Sequence, residues 1–361
     1  MKVSVIIPIY NVAQYLIHCL QSVTTLGERI CEIICINDGS TDNSRAIIIQ
    51  FAKKDSRIQL IDQKNSGISS ARNTGIEAAS GDFLLFVDGD DYIFPQKLEA
   101  LLDEIESLDN INGVWTGYIR EDWNGNHIEN TKLTTGVWNQ KQICDYYIPA
   151  ILGISYDKLN AWFRGEQPLN GGQEFPTIWR GLYSKKIIDK YGIRFDVRVK
   201  TGEDILFNWK FYSYAENLLV SNNNYYCYVW RKGSLTQDTN QKFYEAKSLF
   251  LKIRDMQNAD LKSASKRDYA DEYQATLVLT KIQMALILSK CPFTDLLCNY
   301  KKFKHYSSQE SILIAYKNLE LKEAPMKFKI VFGIAKLRWD LALFLGCSLL
   351  NKLNIHIYPD E

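Results

Sequence analysis

Acidic side chains that could hold a divalent cation follow an apolar stretch of the sequence. Residues 83–87 (FLLFV) are typical of a buried parallel strand, and Asp88, Asp90 and Asp91 come directly after it. Carboxylates this close repel one another unless a cation neutralises them, and oxygen ligands suit Mg²⁺ or Mn²⁺. Such an ion would also stabilise a diphosphate leaving group. The alternative is a solvated turn that caps the helix starting near Pro95.

Two earlier turns carry polar residues that could bind a nucleoside. Residues 8–11 (PIYN) end the first predicted strand, and residues 37–40 (NDGS) end the second. Because both turns open on the same edge of a parallel sheet, they form one crevice with the acidic cluster. Asp38 can accept a hydrogen bond from a base N–H, and Tyr10 can stack on the base. The alternatives are a turn-forming aspartate and an aromatic residue at the edge of the core.

Strands and helices that would position these turns alternate through the first part of the chain. The strand-like segments are residues 3–9, 32–36, 58–61, 83–87 and 113–118. Helical patterns separate them, which predicts βαβ units and a doubly wound α/β fold. Asn11 is expected to cap the first helix, and Pro95 suits the first turn of a later one.

The pattern changes twice after this region. Residues 120–234 are less regular and rich in Trp, Tyr and Gly, and they include a long irregular stretch at residues 155–179. Loops of that length in a compact protein are usually functional. Residues 237–321 show helical periodicity and no strand signal, so we predict a helical appendage there.

The overall composition excludes some classes of protein. The chain is 46% hydrophobic and 24% charged, and its 43 basic and 42 acidic residues give a net charge of +1. This composition predicts a folded, soluble protein without the basic field that attracts nucleic acid. The eight cysteines form no CxxC pair, which predicts buried thiols in a reducing compartment. No signal peptide is recognisable at the N-terminus, so we expect a cytoplasmic protein.

Residues 327–353 mix basic side chains with aromatic and aliphatic ones. The longest charge-free run, residues 341–351, is shorter than the roughly 20 apolar residues that cross a bilayer. Two interpretations remain open. An amphipathic helix could lie on the anionic inner face of the cell membrane, or it could pack on its own domain or on a second subunit of a homodimer.

Four segments carry a resemblance to a known family. VSVIIPIYN, NDGSTDNS, NSGISSARNTGIEAASGDFLLFVDGDD and TGEDILF occur in this order over about the first 235 residues. They resemble the family 2 glycosyltransferases of bacterial polysaccharide synthesis. The resemblance implies a GT-A fold, in which a Rossmann-like mixed sheet would here be followed by a C-terminal helical extension. It also implies metal-dependent, inverting transfer from a nucleotide diphosphate sugar, most often of uridine, to a saccharide or lipid-linked saccharide.

The same resemblance implies roles for individual residues. Residues expected to contact the nucleotide sugar are Pro8, Tyr10, Asn11, Asp38, Gly67, Arg72, Asp88, Gly89 and Asp90. Asp90 and Asp91 would meet the Mn²⁺ or Mg²⁺ ion. Asp204 matches the general base that takes the proton of the acceptor hydroxyl, with Glu203 as the competing choice. The alternatives are that both acids only start a helix and that Arg72 is an exposed helix arginine.

Further candidates have weaker signals. Arg231 and Ser234 lie in a segment that resembles an aromatic and basic part of the family, which could close over the diphosphate. Trp162 and Trp179 could stack on acceptor sugars, although core packing explains them equally well. The metal-binding histidine of some family members has no counterpart here, which puts a shell made only of protein ligands in doubt.

We therefore predict four segments. They are a nucleotide-sugar-binding half (1–118), an acceptor-binding half (119–235), a helical extension (236–325) and an amphipathic tail (326–361). Two other functions compete with glycosyl transfer. A nucleotidyltransferase would need a glycine-rich, basic phosphate loop where this chain has PIYN. A non-catalytic binding module would not need the set of acids.

Overall fold

The computed structural model describes residues 1–129, 133–166, 168, 176–231, 241–263 and 266–353, without the side chains of residues 241–248 and 327. The chain divides into two compact units. The first comprises residues 1–148 and 175–235, and the second comprises residues 149–174 and 236–361. Residues 149–174, which we predicted to lie in the acceptor-binding half, thus belong to the helical unit.

In the first unit, strands and helices alternate. The strands are β1 (Val3–Ile9), β2 (Ile30–Asp38), β3 (Ile58–Gln63), β4 (Phe83–Phe86), β5 (Tyr92–Ile93), β6 (Gly113–Thr116), β7 (Ile119–Glu121), β8 (His127–Glu129), β9 (Gly136–Asn139), β10 (Gly181–Ser184), β11 (Asn217–Ser221) and β12 (Tyr226–Val229). The helices are α1 (Ala13–Thr24), α2 (Ser44–Ala52), α3 (Ile68–Ala78), α4 (Pro95–Glu106), α5 (Gln140–Gln142), α8 (Lys185–Lys190) and α9 (Glu203–Tyr214). Helix α6 (Ile148–Leu152) spans the division between the units.

Strands of the described residues form two sheets. The larger has the order β3-β2-β1-β4-β10-β6-β11-β9, and the smaller has the order β5-β12-β7-β8. Strands β3, β2, β1 and β4 are parallel, whereas β10 runs antiparallel to both of its neighbours. The predicted Rossmann-like mixed sheet is therefore confirmed.

Apolar runs in the sequence explain why these strands lie in the middle of the unit. Every residue of β1 is buried, as a parallel strand covered on both faces requires. Helix α1 buries Leu16, Cys19, Leu20 and Val23, which recur at the spacing of one helix face. The carboxyl ends of β1, β2 and β4 consequently meet at one sheet edge.

The turn after β1 differs from the prediction at Asn11. Helix α1 begins at Ala13 with Val12 as its N-cap, so the expected cap at Asn11 is wrong. Asn11 instead has a φ of 53°, and its side-chain oxygen accepts from the Thr41 backbone N–H at 2.8 Å. Asp42 accepts from the Ala13 N–H at 2.9 Å. Each turn therefore supplies a side chain that accepts from a backbone N–H of the other turn. The parallel strands β1 and β2 bring the two turns together.

The second unit is helical over its described residues, as predicted. Its further helices are α7 (Tyr156–Phe163), α10 (Gln241–Ser263), α11 (Ala270–Ser289), α12 (Leu296–Ser307), α13 (Glu310–Asn318), α14 (Met326–Lys336) and α15 (Asp340–Lys352). The predicted amphipathic tail forms α14 and α15, and α15 buries Leu343, Phe344 and Cys347. No helix in the described part of the chain has both the length and the apolar character needed to span a bilayer.

The eight cysteines are all free, but they are not all buried as we expected. Cys19, Cys35, Cys227 and Cys347 are buried, whereas Cys298 is exposed on α12. Cys298 lies on the polar side of α12. The spacing of the cysteines in the sequence did not indicate that this one would be exposed.

Candidate active site

A buried guanidinium group joins the two acidic segments. Arg72 lies in α3, and its Nη1 donates to Asp204 Oδ1 at 2.7 Å and to Glu203 Oε1 at 3.3 Å. Its Nη2 donates to Asp88 Oδ1 at 3.2 Å. The Arg72 side chain is 3% exposed, so the alternative of an exposed helix arginine is wrong. This contact set ties the end of β4 to the start of α9.

The pKa values of these groups reflect burial and mutual repulsion. Burial, followed by the charge of Asp204, raises the pKa of Glu203 to about 7. Burial also raises the pKa of Asp204, although Arg72 opposes the shift. For Arg72, burial acts against the charge, but Asp204, Asp88 and Glu203 outweigh it and raise its pKa. These upward shifts bring the pKa values of Glu203 and Asp204 nearer to the pKa range in which a general base works at neutral pH.

Glu203 and Asp204 are the first two residues of α9. Gly202 precedes them as the N-cap with a left-handed φ of 87°, a conformation that glycine adopts readily. Asp204 Oδ2 accepts from the backbone N–H of Ile178 at 3.1 Å. The helix start and the catalytic assignment are therefore compatible, because the same turn that begins α9 directs Asp204 towards Arg72.

The turn after β4 sends its carboxylates in different directions. Asp91 is buried, and its two oxygens accept from the Tyr226 hydroxyl at 2.8 Å and from the Val229 N–H at 2.9 Å. Asp90 has a side chain that is 44% exposed, and its Oδ2 accepts from Arg231 Nη1 at 2.5 Å. Asp91 thus attaches the turn to β12, while Asp90 stays accessible.

Negative charge accumulates around this turn. Burial, followed by the charge of Asp88, raises the pKa of Asp90, and Arg231 opposes the shift. Burial, followed by Asp90 and Asp88, raises the pKa of Asp91 well above its usual value. Ion pairs connect four carboxyl groups to two guanidinium groups here, and Asp91 adds a fifth carboxyl group that contacts neither guanidinium. A divalent cation fits this excess of negative charge.

Gly89 allows the turn after β4 to lie against the turn after β1. A Cβ atom at position 89 would lie 3.2 Å from Val12 Cγ2 and 3.3 Å from the Pro8 carbonyl oxygen. Such contacts are tighter than side chains normally make, so a residue with a Cβ would push the two turns apart. Gly89 thus allows the two turns to pack closely, and its contact with the nucleotide sugar stays a prediction.

Asp38, the last residue of β2, orders the chain before α3. Its Oδ1 accepts from Gln63 Nε2 at 2.7 Å and from the Ser66 N–H at 2.8 Å, and its Oδ2 accepts from the Gly67 N–H at 2.9 Å. Gly67 has a φ of 89° and open space where a Cβ would lie. These bonds hold the carboxylate at the sheet edge, and its contact with a base stays a prediction.

Hydrogen bonds and close packing between the turns bring the residues predicted to bind the donor, the metal ion and the acceptor proton to one edge of the larger sheet. Tyr10 is 49% exposed next to Asn11, as an aromatic residue that stacks on a ligand must be. The residues that meet at the ends of β1, β2 and β4, or join them through Arg72, are Pro8, Tyr10, Asn11, Asp38, Gly67, Arg72, Asp88, Gly89, Asp90, Asp91 and Asp204.

The further candidates for acceptor and diphosphate binding lie in different parts of the structure. Trp179 is buried and stacks on Tyr226 at 4.3 Å, as the core-packing alternative expected. Trp162 belongs to the second unit, where it packs on Phe328 at 4.5 Å. Arg231 lies over the ring of Tyr15 at 3.5 Å and bonds Asp90, as described above. Ser234 lies outside the described residues.

Sequence reasoning missed an aromatic pair. Trp123, in the turn between β7 and β8, stacks on Trp230 with ring centroids 4.8 Å apart and an angle of 27°. Trp123 is 59% exposed, and Trp230 directly precedes Arg231. A tryptophan in a turn rich in Asp, Asn and Gly was the available signal, since such a turn is solvent-facing.

Taken together, these features are those of an α/β enzyme with a carboxylate-lined crevice at the carboxyl ends of its parallel strands. Comparison with known sequences identifies the family. The family described as Glycosyl transferase family 2 matches residues 4–164. An uncharacterized glycosyltransferase of Bacillus subtilis, EpsJ, is 30% identical over 256 residues, which cover 69% of each chain. The chain therefore belongs to glycosyltransferase family 2.

Other relatives and solved structures agree with this assignment. Glycosyltransferase GlyA of Streptococcus pneumoniae is 34% identical over 247 residues, which cover 68% of this chain and 33% of GlyA. The aligned part of the chain thus spans about a third of the length of GlyA. The crystal structure of TarS 1–349 of S. aureus in complex with UDP-GlcNAc matches with a TM-score of 0.62 at 18% identity, over 100% of this chain and 94% of that chain. At this identity the likeness shows the fold, which is GT-A.

Proposed function

We propose that this enzyme transfers a hexosyl or N-acetylhexosaminyl group, with inversion, from a UDP-sugar to a saccharide or lipid-linked saccharide in the synthesis of cell-surface polysaccharide. The observation that carries the proposal is the contact of Arg72 with Asp88, Glu203 and Asp204. It brings together the two acidic segments that donor binding and proton transfer require. Residues 1–118 then bind the nucleotide sugar, and the rest of the first unit binds the acceptor.

In this reaction, Asp204 takes the proton of the acceptor hydroxyl. The hydroxyl oxygen forms a bond to the anomeric carbon, and the bond from that carbon to the diphosphate oxygen breaks, so that UDP leaves. Asp204 is held for this role by the N–H of Ile178 and by Arg72, each on a different oxygen. Glu203, whose pKa is about 7, is the competing base.

The nucleotide lies at the ends of β1 and β2. Tyr10 has the exposure that stacking on a base requires, and Asp38 has a fixed carboxylate that can accept from a uracil N–H. The complex of TarS with UDP-GlcNAc supports uridine as the base. Nearby glycines 67 and 89 let the backbone approach a diphosphate closely.

Asp88 and Asp90 are the residues that fit an Mn²⁺ or Mg²⁺ ion. Asp90 is partly accessible, and burial, followed by the charge of Asp88, raises the pKa of its carboxyl although Arg231 opposes the shift. When bound, the ion stabilises the negative charge of the departing diphosphate. Asp91 was predicted as a second ligand. Because both of its oxygens already accept from Tyr226 and Val229, we expect it to position the turn more than to hold the ion.

The acceptor is a saccharide, and the aromatic pair supports this assignment. Sugar faces stack on exposed aromatic rings, and Trp123 presents such a ring beside Trp230. From Trp230 the chain passes directly to Arg231 and thus to Asp90. The stacked pair of Trp123 and Trp230 is therefore connected, through Arg231, to the carboxylates at which we expect the donor.

A thermal-shift experiment tests donor recognition. UDP with Mn²⁺ is expected to raise Tm, by the equivalent of about 2.7 kcal/mol at 100 times Kd, whereas GDP or UDP without the ion gives little change. The Asp90→Asn variant should no longer show the Mn²⁺-dependent rise in Tm with UDP. The Asp109→Asn variant, changed at an exposed site, should still show it. Trp123→Ala should keep the UDP response and reduce transfer to oligosaccharides. Equal responses to GDP and UDP, or to Mn²⁺ in both aspartate variants, would contradict the proposal.

The tail also supports a membrane contact through residues 327–353. Leu341, Leu345 and Leu349 recur on one face of α15 and are 51%, 46% and 58% exposed, opposite the buried face of that helix. Trp339 is 60% exposed. Exposed basic residues lie on α14 at Lys329 and Lys336, in the turn after it at Arg338, and on α15 at Lys352. Apolar, aromatic and basic side chains in this combination match the interface of an anionic bilayer.

Sedimentation with vesicles tests this contact. The full chain is expected to bind vesicles of phosphatidylcholine and phosphatidylglycerol, less so at high salt, and not pure phosphatidylcholine. Changing Leu341, Leu345 and Leu349 together to Gln should weaken binding at least about tenfold. The control variant Ile17→Gln alters an exposed apolar residue of the first unit and should bind normally. If the triple variant instead dissociates a homodimer, the face binds a second copy and the membrane proposal is wrong.

A further inference from the structure

Three side chains of kinds that bind transition metals meet on the smaller sheet. Glu121 ends β7, His127 begins β8 and Cys227 lies in β12, and one ligand atom of each lies within 4.8 Å of the others. His127 Nε2 and Glu121 Oε2 are 3.2 Å apart. These residues play no part in the glycosyl-transfer site described above.

Strand register explains why the three side chains share one face. Glu121 is paired with His127 across the β7–β8 hairpin, and Cys227 is paired with Ile119, two residues before Glu121. Because side chains alternate between faces, residues two apart point to the same side of a sheet. Tyr92 is the partner of Cys227 on the other neighbouring strand, β5. Four strands therefore direct side chains to this point.

Tyr92 adds an oxygen atom to the group. Its hydroxyl donates to Glu121 Oε2 at 2.6 Å and lies 3.0 Å from His127 Nε2. Around a tetrahedral zinc ion with ligands at about 2.0–2.3 Å, neighbouring ligand atoms are roughly 3.3–3.8 Å apart. Small side-chain movements would bring the carboxylate, imidazole and hydroxyl groups to that spacing, with the Cys227 sulfur on the remaining side.

We propose that Glu121, His127 and Cys227, with the Tyr92 hydroxyl as a fourth donor, bind one Zn²⁺ ion. Sulfur, imidazole and carboxylate together are the ligands that zinc prefers, whereas Mg²⁺ prefers oxygen alone. The His127 side chain is 45% exposed and gives the ion a route from solvent. The ion links the hairpin to β12, whose Val229 N–H holds Asp91. Its role is thus to stabilise the strand on which the acidic turn depends.

Cobalt spectroscopy of the full chain tests this site. After chelation and removal of metal, and without UDP, one Co²⁺ per chain is expected to give the visible bands of tetrahedral coordination and the near-ultraviolet band of a cobalt–thiolate bond. Zn²⁺ should displace it and raise Tm. Cys227→Ser should abolish the thiolate band, and His127→Gln and Glu121→Gln should each weaken binding at least tenfold. These changes should leave the Mn²⁺-dependent response to UDP measurable.

Matched controls separate this site from surface binding. Cys298→Ser and His305→Gln change an exposed cysteine and an exposed histidine of α12, and they should leave the cobalt spectrum unchanged. Circular dichroism checks that Cys227→Ser is folded. If it is not, the two hairpin variants decide the question, because His127 is largely exposed. Absence of stoichiometric Co²⁺ binding, or binding that depends on Cys298 or His305 instead, would overturn the proposal.

Discussion

Replacing Asp204 with Asn is expected to reduce glycosyl transfer by about 10²–10⁴-fold, the contribution typical of a positioned general base. Asn has nearly the same size, and its single side-chain oxygen can accept from one of the two donors that bond different oxygens of Asp204, the Ile178 N–H or Arg72. The variant therefore loses one local hydrogen bond as well as the ability to take a proton, and the size of the side chain is kept. Transfer rates at saturating donor, together with the UDP-induced change in Tm, separate loss of chemistry from loss of binding.

Glu203→Gln is the matched control for this variant. Glu203 neighbours Asp204 in the chain, contacts the same guanidinium group and has a pKa of about 7. We expect this change to lower transfer less than tenfold. If Glu203→Gln abolishes transfer and Asp204→Asn does not, the two roles are exchanged. If the UDP response disappears with Asp204→Asn, the residue serves donor binding and the assignment as base is wrong.

Arg72→Met is expected to destabilise the first unit by about 3 kcal/mol, because it leaves buried carboxylates without their cation. At about 2–4 °C per kcal/mol for a unit of this size, Tm should fall by roughly 6–12 °C. Met retains the bulk of the aliphatic part of the side chain, so the loss mainly reports the guanidinium charge and its hydrogen bonds to Asp88, Glu203 and Asp204. Transfer should also be lost, since both acidic segments depend on this contact.

The effect of Arg72→Met should depend on pH. Arg72 opposes the upward pKa shifts of Glu203 and Asp204, so its removal raises both pKa values further above their unfolded values. An acid with a raised folded pKa favours the fold below its unfolded pKa, and this benefit is lost as pH rises through the folded pKa. For Glu203 the pH range over which this benefit is lost begins at the ordinary pKa of 4.5 and, without Arg72, extends beyond the folded pKa of about 7. The loss of stability should therefore be larger at pH 8 than at pH 5.

Arg45→Met provides the control for both measurements. Arg45 also forms an ion pair, with Asp62 at 2.8 Å, but both side chains are about half exposed. Exposed pairs contribute little to stability, about 0–1 kcal/mol, so Tm should change by no more than a few degrees. If Arg72→Met has the same small effect at both pH values, Arg72 does not neutralise the acids and the proposed site loses its central contact.

Sequence alone predicted the main strands and helices of residues 1–118 and where their polar turns fall, whereas strands β7 to β12 of the first unit were not predicted. The apolar run at residues 83–87 placed Asp88 at the end of β4, and the helical pattern after Gly202 placed Asp204 at the start of α9. Such predictions succeed because periodicity and turn chemistry act over a few neighbouring residues. The resemblance to family 2 added the roles, which residue spacing does not supply.

Tertiary structure decided which of these residues meet. Arg72 contacts Asp204, which is 132 residues away in the chain, and Asp91 is held by Tyr226 and Val229. These contacts depend on strand order and register, since β10 runs between β4 and β6 and a separate sheet carries β12. The assignment of residues 149–174 to the helical unit follows from packing in the same way. A local pattern has no information on such pairings, because they are selected by the free energy of the whole fold.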